Sequence, residues 1–535
     1  MQSNLWSLVE TRLADRPEAV AFIAEERRIS YGEFADLCRR TETWLRAQGI
    51  GAGDKVAVWL VNRVEWLALF FALARIGATL VSVNTRYRSE EVTYILDKSG
   101  ACMLVLQPGF RSIDFAGILA GMDAALLPAL RTLAVLDADA TIPDTLLGRP
   151  VVPFEVAACA PAPAADASDA EAPVVFFTTS GTTKGPKLVM HPQRTLVQHA
   201  WNCARAYGLD QDGAVFLAML PFCGVFGLNG VLAAFAVSAP TVLIETFDGP
   251  QAAQLLLAHR VTHTFGSDEM YRRVLDTVPG ERPFPAARMF GFGAFTSSFG
   301  GYAREACARG VPLAGLYGSS EVLALFSAQS MDLPVEQRIE GGGMPAAGMA
   351  ATVRIRDVET GALLPPGQSG EIEIGGPTVF PGYHNNPEAT AEALLPDGFF
   401  RTGDLGHLRG DGSFVYETRM GDAIRLGGFL VNPVEIEAVL KRFPELADAQ
   451  VVAVDIGGQT RVVAFVIAAA GATVDTDAIV ARMRAQVAPF KVPARVWQVD
   501  AYPVTLSSNG VKTQRNKLRD LALARLADEA VGVGI

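Results

Sequence analysis

Short apolar runs alternate with longer mixed stretches through the first third of the chain. Residues 56–61 (VAVWLV), 79–83 (TLVSV), 103–106 (MLVL) and 132–136 (TLAVL) are apolar and rich in β-formers, and read as strands. Between them, 33–48 and 89–97 carry apolar residues at helical spacing. This alternation predicts α/β layers with largely parallel sheets. The most apolar stretch, Trp66 to Val83, is interrupted by Arg75 and Gly77, whereas a membrane span needs about 20 uninterrupted apolar residues. It is predicted to be a buried helix running into a buried strand, so no membrane span is expected.

Further along, 156–173 (VAACAPAPAADASDAEAP) is rich in Ala, Pro and small polar residues and predicts an exposed loop or linker. From about 352 the texture changes. TVRIRD, GEIEIGG and GSFVYE read as strands joined by Gly-rich turns, hence a more antiparallel β region. From 433 onward, PVEIEAVLKRF and TDAIVARMRAQV read as helices and AQVVAVD and VVAFVIA as strands, the pattern of a small α+β domain. No internal repeat is detected.

A length of 535 residues is several times a typical domain of roughly 100–150. With 50% hydrophobic and 19% charged residues, the chain can bury large cores rather than stay disordered. Its net charge of −11, without a long Lys or Arg run, repels phosphate backbones, so no nucleic-acid partner is expected. Any phosphate-bearing ligand must be held by a few placed groups. The six cysteines are scattered without a CxxC pair, and no His stands at metal-ligand spacing. They are expected to be buried free thiols in a reducing compartment. The N-terminus lacks a basic-then-apolar signal pattern, and a cytoplasmic enzyme is expected.

The chemistry concentrates after the Ala/Pro-rich segment. Thr178 to Lys187 reads TTSGTTKGPK and follows the apolar run 174–177, which can deliver it at a strand end. Glycines let backbone N–H groups approach an anion, and hydroxyls and ammonium groups add donors and charge. These residues predict a polyphosphate-binding loop. Its spacing is not the G-x-x-x-x-G-K-S/T of common NTPases, because Pro186 stands where the second Gly belongs.

The segment resembles the T-S-G-T-T-G-x-P-K-G loop of the adenylate-forming superfamily, which includes acyl-CoA synthetases, luciferases and peptide-synthetase adenylation domains. Two positions depart: Lys184 stands for the usual Gly, with Gly185 one place later, and Leu188 replaces the final Gly. Further motifs follow in the family's order. Tyr317-Gly318-Ser319-Ser320-Glu321 resembles Y-G-x-T-E, and Gly293-Ala294-Phe295 the adenine-lining G-A-P, with a plain structural turn as the alternative. Gly382-Tyr383 and Asn386-Pro387-Glu388 are similar to G-Y-x-N-x-P-E. Arg401-Thr402-Gly403-Asp404 is similar to R-T-G-D, and Arg419 to Glu437 to the interdomain segment. Pro503 to Arg515 looks like P-x-T-x-x-G-K-x-x-R with one extra residue. The resemblance spans roughly 30–520 and lies closest to acyl- or aryl-CoA ligases.

The resemblance implies a large N-terminal ATP- and acyl-binding domain, 1–421, of layered α/β subdomains plus a β-rich one. A small mobile α+β C-terminal domain, 422–535, carries the catalytic lysine. Thr179, Ser180, Gly181, Thr182, Thr183, Gly185 and Lys187 would hold the phosphates, with Thr182 and Lys187 also catalytic. Tyr317 would pack on adenine with Gly293, Ala294 and Phe295, alongside Gly318 and Ser319. Ser320 would meet the α-phosphate and Glu321 would hold Mg²⁺, a hard cation that takes oxygen ligands and few protein carboxylates. Asp404 would accept from both ribose hydroxyls, as an acceptor-only carboxylate can, and Arg419 would contact the nucleotide. Asp422 would be the hinge. Gly428 would let the pantetheine arm pass, or is an ordinary turn glycine. Lys512 is assigned as the catalytic lysine, with Lys517 as the competing position.

The implied reaction is ATP-dependent, AMP-forming acid:CoA ligation through an acyl-adenylate. Pro221 to Gly227 aligns with P-x-F-H-x-x-G with Gly224 in place of His, which suggests room for an aryl or medium-chain acid. No Asp lies within 221–230 to hold an α-ammonium, so a non-amino acid is expected. Candidate pocket residues are Cys223, Gly224, Phe226, Leu228, His263, Ser267, Asp268, Gly291 and Phe292, with a satisfied core histidine as the other reading of His263. Expected co-substrates are ATP with Mg²⁺, a small carboxylic acid and coenzyme A. The alternatives are an enzyme loading the phosphopantetheine of a separate carrier protein, and an inactive acid- or nucleotide-binding regulator. Monomer and homodimer both remain open.

Overall fold

The four apolar runs that open the chain become neighbouring parallel strands. Lys55–Trp59 lies between Thr79–Ser82 and Met103–Leu106, with Thr132–Val135 next outward. The computed structural model describes residues 4–111, 113–137, 143–163, 166, 168–179, 186–293, 299–420, 424–426, 429–431, 433–456, 459–484, 486–487, 491–507 and 510–532. Its contacts divide the chain into two units. The larger comprises Met1–Gly293, Cys307–Thr352 and Ile374–Arg401, and the smaller Ala294–Ala306, Val353–Glu373 and Thr402–Ile535. The 421/422 boundary falls among residues outside the described ones.

Two sheets build the larger unit. In the first, Leu188–Pro192 stands at one edge, followed by Pro173–Thr178 and the four strands above, then Arg149–Pro153 and Thr145–Leu146. In the second, Leu313–Tyr317, Met289–Gly293, His263–Ser267, Phe216–Ala218, Thr241–Leu243 and Val20–Ala24 run parallel. Leu104, Leu106, Leu133, Phe115 and Ile95 pack beside the first sheet in one buried cluster. The helix Tyr31–Ala47 starts at Ser30, which forms a reciprocal capping box with Glu33. It packs on Val64–Ile76, the helix predicted from the Trp66–Val83 stretch, which ends at Gly77 in the left-handed region (φ 78°). Arg75 survives in this buried helix because Glu42 accepts from its Nε at 2.7 Å and the Trp6 ring lies 4.1 Å beneath its guanidinium.

As expected, the described residues of 156–172 form a loop, nearly all exposed or half-buried, which a few contacts tie to the neighbouring helices. Ala162 is buried, and its N–H donates to the Arg39 carbonyl. Arg75 donates to the Pro163 carbonyl, and Asn4 to Asp166 Oδ2 at 2.7 Å. Small side chains let the backbone lie close to the helices, where arginines satisfy its carbonyls. The cysteines are all free, but Cys159 and Cys307 are half-buried rather than buried.

Thr352–Arg356, Gly370–Gly375, Phe400–Leu408 and Phe414–Arg419, most of whose residues belong to the smaller unit, lie side by side, the last two antiparallel as expected. Glu373, with a buried side chain, takes both Arg354 and Arg356. The terminal sheet pairs Leu446–Ile456 with Gln459–Ala468, and the latter with Arg495–Gln498. Its strands are apolar at successive positions because both faces are covered. Val451, Val462 and Ala464 pack with Ile436, Leu440 and Ile479, whereas Val452, Val454, Val463 and Phe465 pack with Leu518 and Ala522. No described helix is long and apolar enough to cross a membrane.

Candidate active site

The predicted phosphate loop leaves the strand Pro173–Thr178 and returns into Leu188–Pro192, with Thr178 opposite Leu188. Two hydrogen bonds close its neck. The Thr179 N–H donates to the Lys187 carbonyl at 3.0 Å, and the Lys187 N–H to Thr179 Oγ1 at 3.1 Å. Tyr87 Oη and Thr178 Oγ1 lie 3.1 Å apart, and burial raises the Tyr87 pKa, which keeps the phenol neutral. Ser180, Gly181, Thr182, Thr183, Lys184 and Gly185 lie outside the described residues, as do Ala294, Phe295, Asp422 and Gly428. Gly293 ends the strand Met289–Gly293.

Tyr317 ends the strand Leu313–Tyr317, and the turn after it doubles back closely. A Cβ on Gly318 would stand 2.6 Å from Ala324 Cα, so only glycine permits the approach. Leu323 (φ 67°), Ala324 (φ 44°) and Leu325 (φ 37°) then occupy the left-handed region in succession. Each such non-glycine residue costs about 1 kcal/mol or more and persists only where its surroundings hold it.

A buried polar row holds it. His191 Nε2 lies 2.7 Å from the Ser320 carbonyl, the His199 ring donates toward the Leu323 and Ala324 carbonyls, and Tyr207 donates to the Leu325 carbonyl at 2.5 Å. A carbonyl only accepts, so His191 Nε2 carries the proton. Burial pushes the pKa of both histidines down to about 4, which leaves them neutral donors. Ser319 Oγ is buried with no partner among the described residues.

The Glu321 carboxylate is half-buried, and Tyr383 donates to its Oε1 at 2.8 Å. The Lys187 ammonium stands 4.7 Å from the centre of the same tyrosine ring. Lys187 and Glu321, far apart in sequence, thus meet at one phenol. With Oε1 held by a neutral donor, Oε2 can accept a divalent cation without losing the carboxylate's charge, so the residues present fit Mg²⁺. No group of three or more His, Cys, Asp or Glu among the described residues could hold a metal. A cation at Glu321 would need further oxygen ligands from outside such a group.

In the smaller unit, Asp404 and Arg419 are register partners across the strands Phe400–Leu408 and Phe414–Arg419. Arg419 donates to Asp404 Oδ1 at 2.6 Å and to the Thr402 carbonyl at 3.1 Å. Gly403, at φ 68°, lets its carbonyl take the Met420 N–H. Lys512 lies on the strand Gly510–Thr513 opposite Thr505, in a hairpin with Val504–Ser507, and Lys517 on the helix Arg515–Gly532.

The acyl-pocket candidates gather in the larger unit. Gly224 precedes the helix Val225–Ala236, and Ser82 donates to the Cys223 carbonyl at 2.5 Å. Phe226 stacks on Phe265 at 6.5 Å, and a Cβ on Gly291 would meet that same Phe265 ring at 2.8 Å. Leu228 and Phe292 are buried. Ser267 accepts the Met270 N–H, capping the helix Asp268–Leu275, and Asp268 accepts the Glu269 N–H. His263 is bonded to Thr262 Oγ1 at 2.7 Å and to the Tyr207 backbone, with burial pushing its pKa to about 4. That is the arrangement of a satisfied core histidine.

Sequence reasoning missed three features: the phenol of Tyr383 between Lys187 and Glu321, Tyr87 beside Thr178, and the row of His191, His199 and Tyr207. Tyr383 sat in a recognised motif but with no role. The i, i+4 spacing of His199 and Cys203 on an apolar helix face was the one available signal for the row.

Comparison with known proteins agrees in both halves of the chain. Residues 9–384 match the family model for AMP-binding enzyme, and 435–509 the model for AMP-binding enzyme C-terminal domain. A methyl-dioxo-octahydroindenyl-propanoyl:CoA ligase of Mycobacterium tuberculosis is 31% identical over 94% of this chain and 96% of its own. An indoleacetate–CoA ligase of Aromatoleum aromaticum is 29% identical over 97% and 98%. ATP-bound MatB from Rhodopseudomonas palustris superposes with a TM-score of 0.83 at 26% identity, covering 97% of this chain and 99% of that one.

Proposed function

The chain belongs to the AMP-binding enzymes, and on that premise we propose that it is an AMP-forming acid:CoA ligase for an aryl or medium-chain acid other than an amino acid. The observation that carries the reading is the meeting of Lys187 and Glu321 at Tyr383, a loop lysine and a charged carboxylate at one point.

In the first step the acid's carboxylate oxygen attacks the α-phosphorus of ATP. The bond to the bridging oxygen breaks, and pyrophosphate leaves with its electron pair. Lys187, Thr179, Ser180, Gly181, Thr182, Thr183 and Gly185 hold the phosphates. Glu321 would hold Mg²⁺, which supplies positive charge beside the phosphate oxygens. Tyr317, Gly318, Ser319, Gly293, Ala294 and Phe295 hold the adenine side, Ser320 the α-phosphate, and Asp404 and Arg419 the ribose and nucleotide. Lys512 bridges the acid and the α-phosphate, offsetting their mutual repulsion.

In the second step the segment 422–535 turns about Asp422 against 1–421 and Gly428 lines the thiol path. The coenzyme A thiolate attacks the acyl carbonyl and AMP leaves. Dependence on ATP and coenzyme A supports a cytoplasmic location. Gly224 and the bulky acids named for two relatives support a roomy acyl pocket.

Pyrophosphate release tests the reading, across acids from acetate to dodecanoate and a set of aryl acids, with and without coenzyme A. Release with aryl or medium-chain acids is expected, with thioester and AMP appearing once the thiol is added. Silence with every acid overturns it. Thioester formed only on an added carrier protein would shift the acceptor to phosphopantetheine.

A further inference from the structure

Tyr383 is fixed on several sides. Its N–H donates to Thr390 Oγ1 at 3.0 Å, and its ring meets Phe380 edge-on at 4.7 Å. Its two neighbours stitch the segment to the strand that follows the phosphate loop. The Met190 N–H donates to the Gly382 carbonyl at 3.2 Å, and the His384 N–H to the Leu188 carbonyl at 2.8 Å. Toward the opposite element, the Phe380 N–H donates to the Glu321 carbonyl at 2.9 Å. The segment 380–384 therefore spans the two elements that bring Lys187 and Glu321, with Tyr383 at its centre, 6% exposed.

The chemistry of a phenol suits that place. A lysine or arginine bonded to Glu321 would cancel the charge a cation needs. A neutral hydroxyl orients one carboxylate oxygen and leaves the charge intact. The ring face attracts the Lys187 ammonium without using its three N–H donors, which stay available to phosphate. We infer that Tyr383 is a positioning residue for adenylation, its hydroxyl aiming Glu321 at the divalent cation and its ring aiming Lys187 at the phosphates. This rests on the ligase reading above.

Calorimetric binding of ATP to the full chain, once with EDTA and once with Mg²⁺, separates the two contributions without needing turnover. Tyr383→Phe keeps the ring and deletes the hydroxyl. The affinity gained on adding Mg²⁺ is expected to fall about 3- to 10-fold, while metal-free ATP binding stays within about 2-fold of the unaltered chain. Tyr383→Leu, checked for folding by its thermal melt, is expected to weaken metal-free binding as well, by about 3-fold or more. A full Mg²⁺ gain in Tyr383→Phe overturns the inference, and so does an equal loss with and without the metal. A folded Tyr383→Leu that binds metal-free ATP as tightly as Tyr383→Phe removes the role of the ring. If Tyr383→Leu does not fold, Tyr383→Phe alone decides the matter. An unaltered chain that binds no MgATP overturns this inference and the ligase reading together, whereas unchanged binding by the variants sinks this inference alone.

Discussion

Two carboxylates, one in each unit, are held by opposite means. Glu321 sits in a turn fastened by neutral, buried donors: Tyr383 on its side chain, and His191, His199 and Tyr207 on the carbonyls around it. Asp404 sits in a hairpin fastened by charge, with Arg419 on the carboxylate itself and the Glu373 pairs with Arg354 and Arg356 close by in the same sheet. Neutral donors fix geometry and leave a net negative charge, which a cation can answer. A guanidinium fixes geometry and cancels the charge, which leaves a carboxylate suited to neutral hydroxyls. The means of support thus matches the ligand proposed for each.

The comparison would break first at the carboxylates themselves. Glu321→Gln is expected to lower the rate of pyrophosphate release about 100-fold or more, because the lost charge acts on the reacting phosphates. Asp404→Asn should chiefly raise the KM for ATP, by about 10-fold, with a smaller change in kcat. Equal losses in kcat would show that the two corners do the same work. Lys512→Ala should match the Glu321 loss in adenylation yet spare thioester formation from supplied acyl-adenylate. Comparable losses in both half-reactions would remove its assigned role.

Acid should separate the corners next. The pKa values of His191 and His199 fall from the ordinary 6.5 to about 4, through burial above all. Between those values the unfolded chain binds protons that the folded one refuses. Their contribution is therefore complete above about pH 6.5 and is lost as pH falls toward 4, by up to about 3 kcal/mol per histidine. Burial pushes Glu373 upward, but its bonds to Arg356 and Arg354 outweigh this and hold it below the ordinary 4.5. Its contribution is present above that value and is lost only as pH falls below it. Hydrogen exchange read over 319–326 and 402–419 should show the first segment losing protection between pH 6.5 and 4 while the second keeps it. Simultaneous loss would contradict the contrast.

Smaller effects sharpen it further. Tyr207→Phe leaves the Leu325 carbonyl only the weaker Cys203 thiol donor at 3.5 Å and should lower stability by about 1–2 kcal/mol in a thermal melt. Arg419→Ala should cost less than about 1 kcal/mol, since the Arg419 side chain is 57% exposed and water screens the pair. A larger cost for Arg419 than for Tyr207 would reverse the order proposed here.

Much was legible before any coordinates. The apolar runs at 56–61 and 103–106 became strands, 33–48 became the core of the helix Tyr31–Ala47, and VVAFVIA became a strand buried on both faces. Periodicity reports local burial, and burial decides those elements. The segment 156–172 also formed the loop its composition signals, though composition says nothing of which arginines bind its carbonyls.

Sequence by itself determined the order of motifs, the family they mark and the residue types of the site, because each motif is a short run whose chemistry travels with it. Only the tertiary structure decided that Lys187 and Glu321 meet at Tyr383, and that His191, His199 and Tyr207 brace the turn 320–325. Those partners lie scores of residues apart. No local pattern encodes a contact made only when separate elements pack together.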